Sequence, residues 1–87
     1  MTAKALMDLP AANVFGNPLS SPEGQEYAKN ERRPKLAESI KKHGVTDEVI
    51  VEHELGYPML VEGHHRVIEA HGIDPEMQVP VVHWDQT

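Results

Sequence analysis

Residues 59–72 read MLVEGHHRVIEAHG, a stretch in which a short strand runs through a glycine directly into a helix. Met59 to Val61 form an apolar run typical of a strand, and the apolar residues after His65 fall at helical spacing until Gly72. At such a turn the first N–H groups of the helix lack partners, and the helix dipole adds a partial positive charge. The stretch therefore predicts an anion site at its glycine.

The four residues of the turn suit a phosphate ligand, and the predicted phosphate-binding residues are therefore Gly63, His64, His65 and Arg66. Gly63 allows close approach of a ligand, and Arg66 can supply a bidentate fork. The two histidines add donors whose charge changes near neutral pH. Glu62 could act as a general base on a phosphate-bound water, so His65, His64 and Glu62 are the candidate catalytic residues. The alternatives are an ordinary turn and a surface glutamate.

Upstream of this stretch the pattern predicts a helix over 34–43. Pro34 can open it, Leu36, Ala37 and Ile40 fall at helical spacing, and Gly44 can cap it. The β-branched run 49–51 follows as a strand, and 56–58 contains a turn. A last strand is expected at 79–82, with its proline at an edge or at the first strand residue.

The N-terminal part is less regular. Ala3 to Met7 could form a short edge strand, 9–19 reads as a loop, and Ser21-Pro22 favours a helical turn as far as Ala28, against which Gly24 counts. The resulting order is strand, helix, strand, strand, helix, strand. This order predicts one α+β (mixed α/β) domain over 1–87, with an N-terminal strand and loop at 1–30, a core at 31–87, a short mixed sheet and two main helices.

Composition excludes several classes of protein. The chain has 87 residues and no cysteine, which allows one module and rules out thiol catalysis, thiolate metal sites and disulfides. No apolar run approaches the roughly 20 residues of a membrane span, and no secretory signal is evident, so a cytoplasmic protein without membrane contact is expected. Metal ligation by His64 or His65 with Glu62, or with His83 and Asp85, lacks a tight signature, and no metal site is predicted.

Charge is segregated along the chain. Residues 29–42 have six cations and two acids, a net +4, whereas 43–87 have nine acids and one cation, a net −8. The basic patch Arg32, Arg33 and Lys35 is either a solvated helix face or a contact for phosphate. The acidic half is a candidate surface for a basic protein, with Glu52, Glu54, Glu69 and Glu76 as its test residues.

The order of motifs resembles the ParB/sulfiredoxin superfamily over most of the chain, best from Leu36 to Trp84. The similarity lies in a helix with S-I and a terminal glycine, an apolar strand, a G-Y-x-L-like hairpin, the G-H-H-R turn, a helix with an alanine and a closing V-P-V strand. Upstream, Leu9 and Asn17-Pro18 resemble the N-terminal strand and N-P loop of that family. The resemblance implies a ParB/sulfiredoxin-like domain, and it places the 34–43 helix and its basic patch beside Arg66.

The departures from that family define the functional alternatives. His64 stands where sulfiredoxins have their catalytic cysteine, so sulfinic acid reduction is excluded. Chromosome-partitioning ParB proteins have G-E-R-R and use CTP, whereas the shorter G-H-H-R version resembles stand-alone ParB-like nuclease domain proteins, often encoded by phages. The resemblance thus implies a nucleotide cofactor, CTP or ATP with Mg²⁺. Three hypotheses remain: a module that binds a nucleotide or nucleic acid, a nuclease or NTPase, and an acidic interaction module without catalysis that binds a basic host protein.

Overall fold

A computed structural model describes residues 1–85, which form an α+β fold with four α-helices and a three-stranded sheet. The helices and strands in chain order are α1 (Ala3–Met7), a 3₁₀ turn (Ala12–Val14), α2 (Pro22–Asn30), α3 (Pro34–His43), β1 (Val49–Glu54), β2 (Tyr57–Glu62), α4 (His64–Ile73) and β3 (Val81–Asp85). None of the helices in this described part is long and apolar enough to cross a membrane.

The sheet has the strand order β2-β1-β3, with β1 antiparallel to β2 and parallel to β3. The hairpin between β1 and β2 turns at Leu55 and Gly56, whose φ angles of 53° and 82° are both positive, as in a two-residue type I′ turn. The turn therefore lies one residue earlier than the sequence predicts. β3 reaches β1 only after α4 crosses back, as a parallel connection requires.

The helices α3 and α4 and the two hairpin strands confirm the predictions for the central part of the chain. α3 has Pro34 in its first turn and ends at His43, and the N–H of the C-cap residue Gly44 donates to the Ile40 carbonyl at 2.7 Å. Ile40 is buried, and Leu36 packs against the core, as helical spacing requires. The last strand begins two residues later than predicted, because Val79 pairs with Met1 and Pro80 lies just before β3.

The predicted N-terminal strand is wrong, because residues 3–7 form helix α1. Thr2 caps this helix, its side chain accepting a hydrogen bond from Ala5 N at 3.1 Å. The segment AKALM contains good helix formers and no β-branched residue. Ala3, Leu6 and Met7 are buried at helical spacing. The structure has four α-helices, whereas two main ones were expected. The two additional helices are α1 and α2.

α2 extends the predicted helical turn by about a further half turn, to Asn30. Ser21 caps it, accepting from Gly24 N at 3.0 Å. Gly24 is required here because a Cβ at this position would collide with the backbone of Pro18 and Leu19. The glycine that counts against the helix in the sequence is a close-packing residue in the structure.

Candidate functional site

The glycine turn joins β2 to α4 and has no room for a side chain at its first residue. Gly63 has φ 94°, a left-handed conformation, and a Cβ there would lie 2.5 Å from Val49 Cγ1 and 3.1 Å from Val49 Cα. No side chain caps α4 at Gly63. The N–H groups of the first helical turn therefore have no side-chain acceptor, which is the arrangement that anion sites at helix N-termini use.

A pocket of about 280 Å³ opens beside this turn, lined by Arg33, Leu36, Gly63, His65 and Arg66. Arg33 and Leu36 come from the start of α3, and the other three come from the turn and the first turn of α4. The packing of α3 against α4 thus brings Arg33 to the same pocket as Arg66. Two arginines and a histidine beside a helix N-terminus favour an anionic ligand.

His65 lies near one acidic and one basic side chain. Its Nε2 lies 3.5 Å from Glu31 Oε1 and 3.5 Å from Arg33 Nη2. The Tyr27 ring lies beside it, with 6.3 Å between ring centroids. Because its side chain is 29% exposed, His65 can contact a ligand in the pocket. The carboxylate of Glu31 would compete with an anionic ligand for the contact with His65 Nε2.

Arg66 lies between the pocket and a second depression, which is lined by Asp47, Glu62 and Trp84 among others. Its Nη2 is 3.9 Å from Asp47 Oδ2, and its side chain is 32% exposed. The distance is too long for a hydrogen bond, so the guanidinium can still donate hydrogen bonds to an anionic ligand. Glu62 lines only the second depression and does not reach the pocket of His65.

His64 points away from the pocket and into the protein. It is 2% exposed, and its Nε2 accepts a hydrogen bond from Asn13 N at 3.3 Å. Burial, followed by the charge of His65, lowers the pKa of His64 to about 4, although a hydrogen bond with the Leu60 backbone acts in the opposite direction. His64 is therefore neutral near pH 7, and it ties the 3₁₀ turn to α4.

Arg32 is paired with Glu69, which lies one helical turn after His65 in α4. Its guanidinium donates to both oxygens of the buried Glu69, at 2.8 Å and 3.0 Å for the two shortest contacts, and Arg33 N donates to Glu69 Oε2 at 2.8 Å. Burial alone would raise the pKa of Glu69, but these hydrogen bonds and the charge of Arg32 lower it below its usual value. The ion pair fixes the start of α3 against α4, and so fixes Arg33 at the pocket.

The structure brings together only part of the predicted site. Arg33, Gly63, His65 and Arg66 meet at one pocket, whereas His64 is in the core and Glu62 is on another face. Arg32 is bound to Glu69, and Lys35 is exposed outside the pocket lining. The expectation that Glu69 forms part of an acidic surface is wrong, because its side chain is fully buried.

Sequence reasoning missed Glu69 as the residue that holds the site together. The available signal was its position between Ile68 and Ala70, in a helix segment whose other residues are apolar. An acid in such a segment needs a buried partner. The helical spacing of Leu36 predicts its place in α3 but does not indicate that it lines a pocket.

Among residues 1–85, no group of three or more histidines or carboxylates is arranged to hold a metal ion. No family model, curated protein or solved structure matches this chain. The resemblance to ParB/sulfiredoxin domains therefore stays a prediction from the motifs.

Proposed function

We propose that this protein is a phosphate-recognising module that binds a nucleotide or a nucleic-acid end at the Gly63 turn. The observation that carries the proposal is the pocket in which Arg33, His65 and Arg66 surround the uncapped N-terminus of α4. Backbone N–H groups, a helix dipole and two guanidinium forks are the groups that bind phosphate most strongly in proteins. The motif resemblance to domains that use CTP supports the same ligand class.

The size of the pocket indicates which part of the ligand it holds. At about 280 Å³ it lies just below the roughly 300–1,000 Å³ of sites that enclose a whole small molecule. A phosphate group or a short polyphosphate fits this space, with the nucleoside or the rest of the strand outside it. The binding energy therefore comes mainly from the phosphate.

No specific contact favours the nuclease hypothesis over binding alone. Of the three candidate catalytic residues, only His65 lies in the pocket, since His64 is buried and neutral and Glu62 lines another depression. Hydrolysis would need a group that activates water beside the phosphate.

The test is a calorimetric titration of the full chain with CTP, ATP, GTP, inorganic phosphate and short DNA with or without a 5′-phosphate, each with and without Mg²⁺. We expect binding of at least one phosphate-bearing ligand, and no binding of DNA that lacks the terminal phosphate. Arg66→Ala should weaken this binding by about tenfold or more, since a hydrogen bond to a charged group contributes about 1.5–3 kcal/mol.

Lys35→Ala is the matched control, because Lys35 is an exposed cation near the start of α3 that does not line the pocket. It should change the affinity by less than about threefold, as expected of an exposed charge. Arg66→Lys separates charge from geometry, since lysine has no bidentate fork. The proposal fails if none of the ligands binds, or if Arg66→Ala and Lys35→Ala bind equally well.

A further inference from the structure

The two faces of the sheet differ, and only one belongs to the core. Val49, Val51 and Leu60 alternate onto the face covered by the helices, and all three are buried. The opposite face, called here the open sheet face, has no fully buried residue. Its apolar and aromatic side chains include Ile50, Tyr57, Met59, Val61, Val82 and Trp84.

These apolar side chains line two adjacent depressions. The depression of about 310 Å³ involves Met59 and Val61, and the one of about 420 Å³ involves Ile50, Val82 and Trp84. Trp84 is 48% exposed and is the single tryptophan of the chain. Domains usually cover both faces of such a sheet or leave one face polar, so an apolar centre on an open face indicates a contact surface.

Carboxylates surround this apolar centre. Five of them lie on the strands of the open sheet face or just before β1, and the one cation beside them, Arg66, is 3.9 Å from one of these carboxylates. The five are Asp47, Glu48, Glu52, Glu54 and Glu62. An apolar centre with a rim of five carboxylates and one arginine has the anatomy of a protein interface, and its net negative charge selects a partner of opposite charge.

We propose that the open sheet face docks a basic amphipathic helix of another protein. The apolar side of that helix would cover Ile50, Val82 and Trp84, and its Lys or Arg residues would face the carboxylate rim. A helix supplies the layer that the fold lacks on this side of the sheet. This surface is separate from the phosphate pocket except at Arg66, and it does not depend on the proposed function.

The same charge excludes other occupants of this face. A second copy of the chain placed face to face would bring five carboxylates against the same five, which is repulsive. Nucleic acid and anionic lipid would be repelled for the same reason. A cationic protein segment is the occupant that both the apolar centre and the rim favour.

The experiment titrates the full chain with an amphipathic helical peptide of Leu and Lys, and follows the fluorescence of Trp84. A peptide with the same Leu pattern and Glu in place of Lys is the negative control. We expect a saturable blue shift with the Lys peptide only, and weaker binding as NaCl is raised, because salt screens the charges. An equal response to the Glu peptide would overturn the proposal.

Two double variants test the position of the binding surface. Glu48→Lys with Glu54→Lys reverses two exposed residues of the rim, and Glu26→Lys with Glu76→Lys reverses two exposed acids elsewhere. Both variants change the net charge equally, and neither alters a buried residue. The rim variant should lose about tenfold or more in affinity, and the other less than about threefold.

Equal losses in the two variants would show that only net charge attracts the peptide, and would overturn the proposal. Trp84→Ser, followed by calorimetry instead of fluorescence, tests the apolar centre in the same way. Its expected result is a loss of about tenfold, and unchanged affinity contradicts docking at this face. Sedimentation of the free protein as a dimer that Trp84→Ser dissociates would also overturn it, in favour of a second copy.

Discussion

The pocket and the open sheet face lie on two sides of the same glycine turn and differ in charge and in the way they are built. On one side, α3 and α4 bring Arg33, His65 and Arg66 together around a helix N-terminus. On the other side, strands present apolar residues within a rim of carboxylates. Arg66 borders both. A chain of net charge −6 can therefore gather arginine and histidine at one pocket, because packing separates its charges in space.

Gly63→Ala should disturb both the pocket and the open sheet face, because they meet at this turn. It should have the largest effect, a loss of about 3 kcal/mol in the free energy of unfolding. The added Cβ would lie 2.5 Å from Val49 Cγ1, and the φ of 94° disfavours any side chain. Overpacking costs roughly 1–3 kcal/mol and the left-handed conformation about 1–2 kcal/mol. Urea denaturation measures the loss.

Gly56→Ala is the control for this prediction, because Gly56 also has a positive φ, 82°, but nothing lies within 4 Å of the added Cβ. It should cost only about 1 kcal/mol, from backbone strain alone. Equal losses at the two glycines would show that the contact of Gly63 with Val49 has no energetic weight.

Lowering the pH should reduce the free energy of unfolding, because His64 is buried in its neutral form. The pKa of His64 is about 4 in the folded protein, against 6.5 for a free histidine, so the unfolded chain binds more protons between these values. Stability from this residue is complete above pH 6.5 and is lost as the pH falls towards 4. At pH 5 the loss relative to pH 7.5 is about 2 kcal/mol.

Urea denaturation at pH 7.5 and pH 5 measures this loss in the wild type, in His64→Gln and in His71→Gln. His71 is half-buried at the end of α4 and serves as the control. The difference between the two pH values should shrink by about 2 kcal/mol in His64→Gln alone. If His71→Gln shrinks it as much, the pH dependence does not come from the buried imidazole.

Glu31→Gln should make the pocket more positive, and we expect the smallest effect of the three predictions. The carboxylate lies 3.5 Å from His65 Nε2 and competes with a bound phosphate. Because Glu31 is partly exposed, its removal should strengthen binding of the phosphate ligand only about threefold. Calorimetry gives the affinity, with Glu38→Gln as a control at an exposed acid of α3 that pairs with Lys42. Weaker binding in Glu31→Gln would mean that Glu31 orients His65 for the ligand.

Much of the fold could be predicted because local rules govern it. Pro34 and Gly44 bound α3, the apolar runs give β1 and β2, and Gly63 marks the start of α4, all from properties of neighbouring residues. The prediction failed at residues 3–7, where five residues are too few for periodicity to decide. The burial of Leu6 and Met7 and the cap by Thr2 give a helix there.

From residue type and the spacing of a few positions we could predict α3, α4, the hairpin strands, the segregation of charge and the glycine turn with its arginine. Tertiary structure alone decided that adjacent His64 and His65 have different environments, the first in the core and the second at the pocket. The packing of α3 against α4 also pairs Glu69 with Arg32, 37 positions away. Arg33, in contrast, lines the pocket together with Arg66. Burial and pairing depend on which helix faces pack together, and contacts between residues so far apart leave no local pattern in the chain.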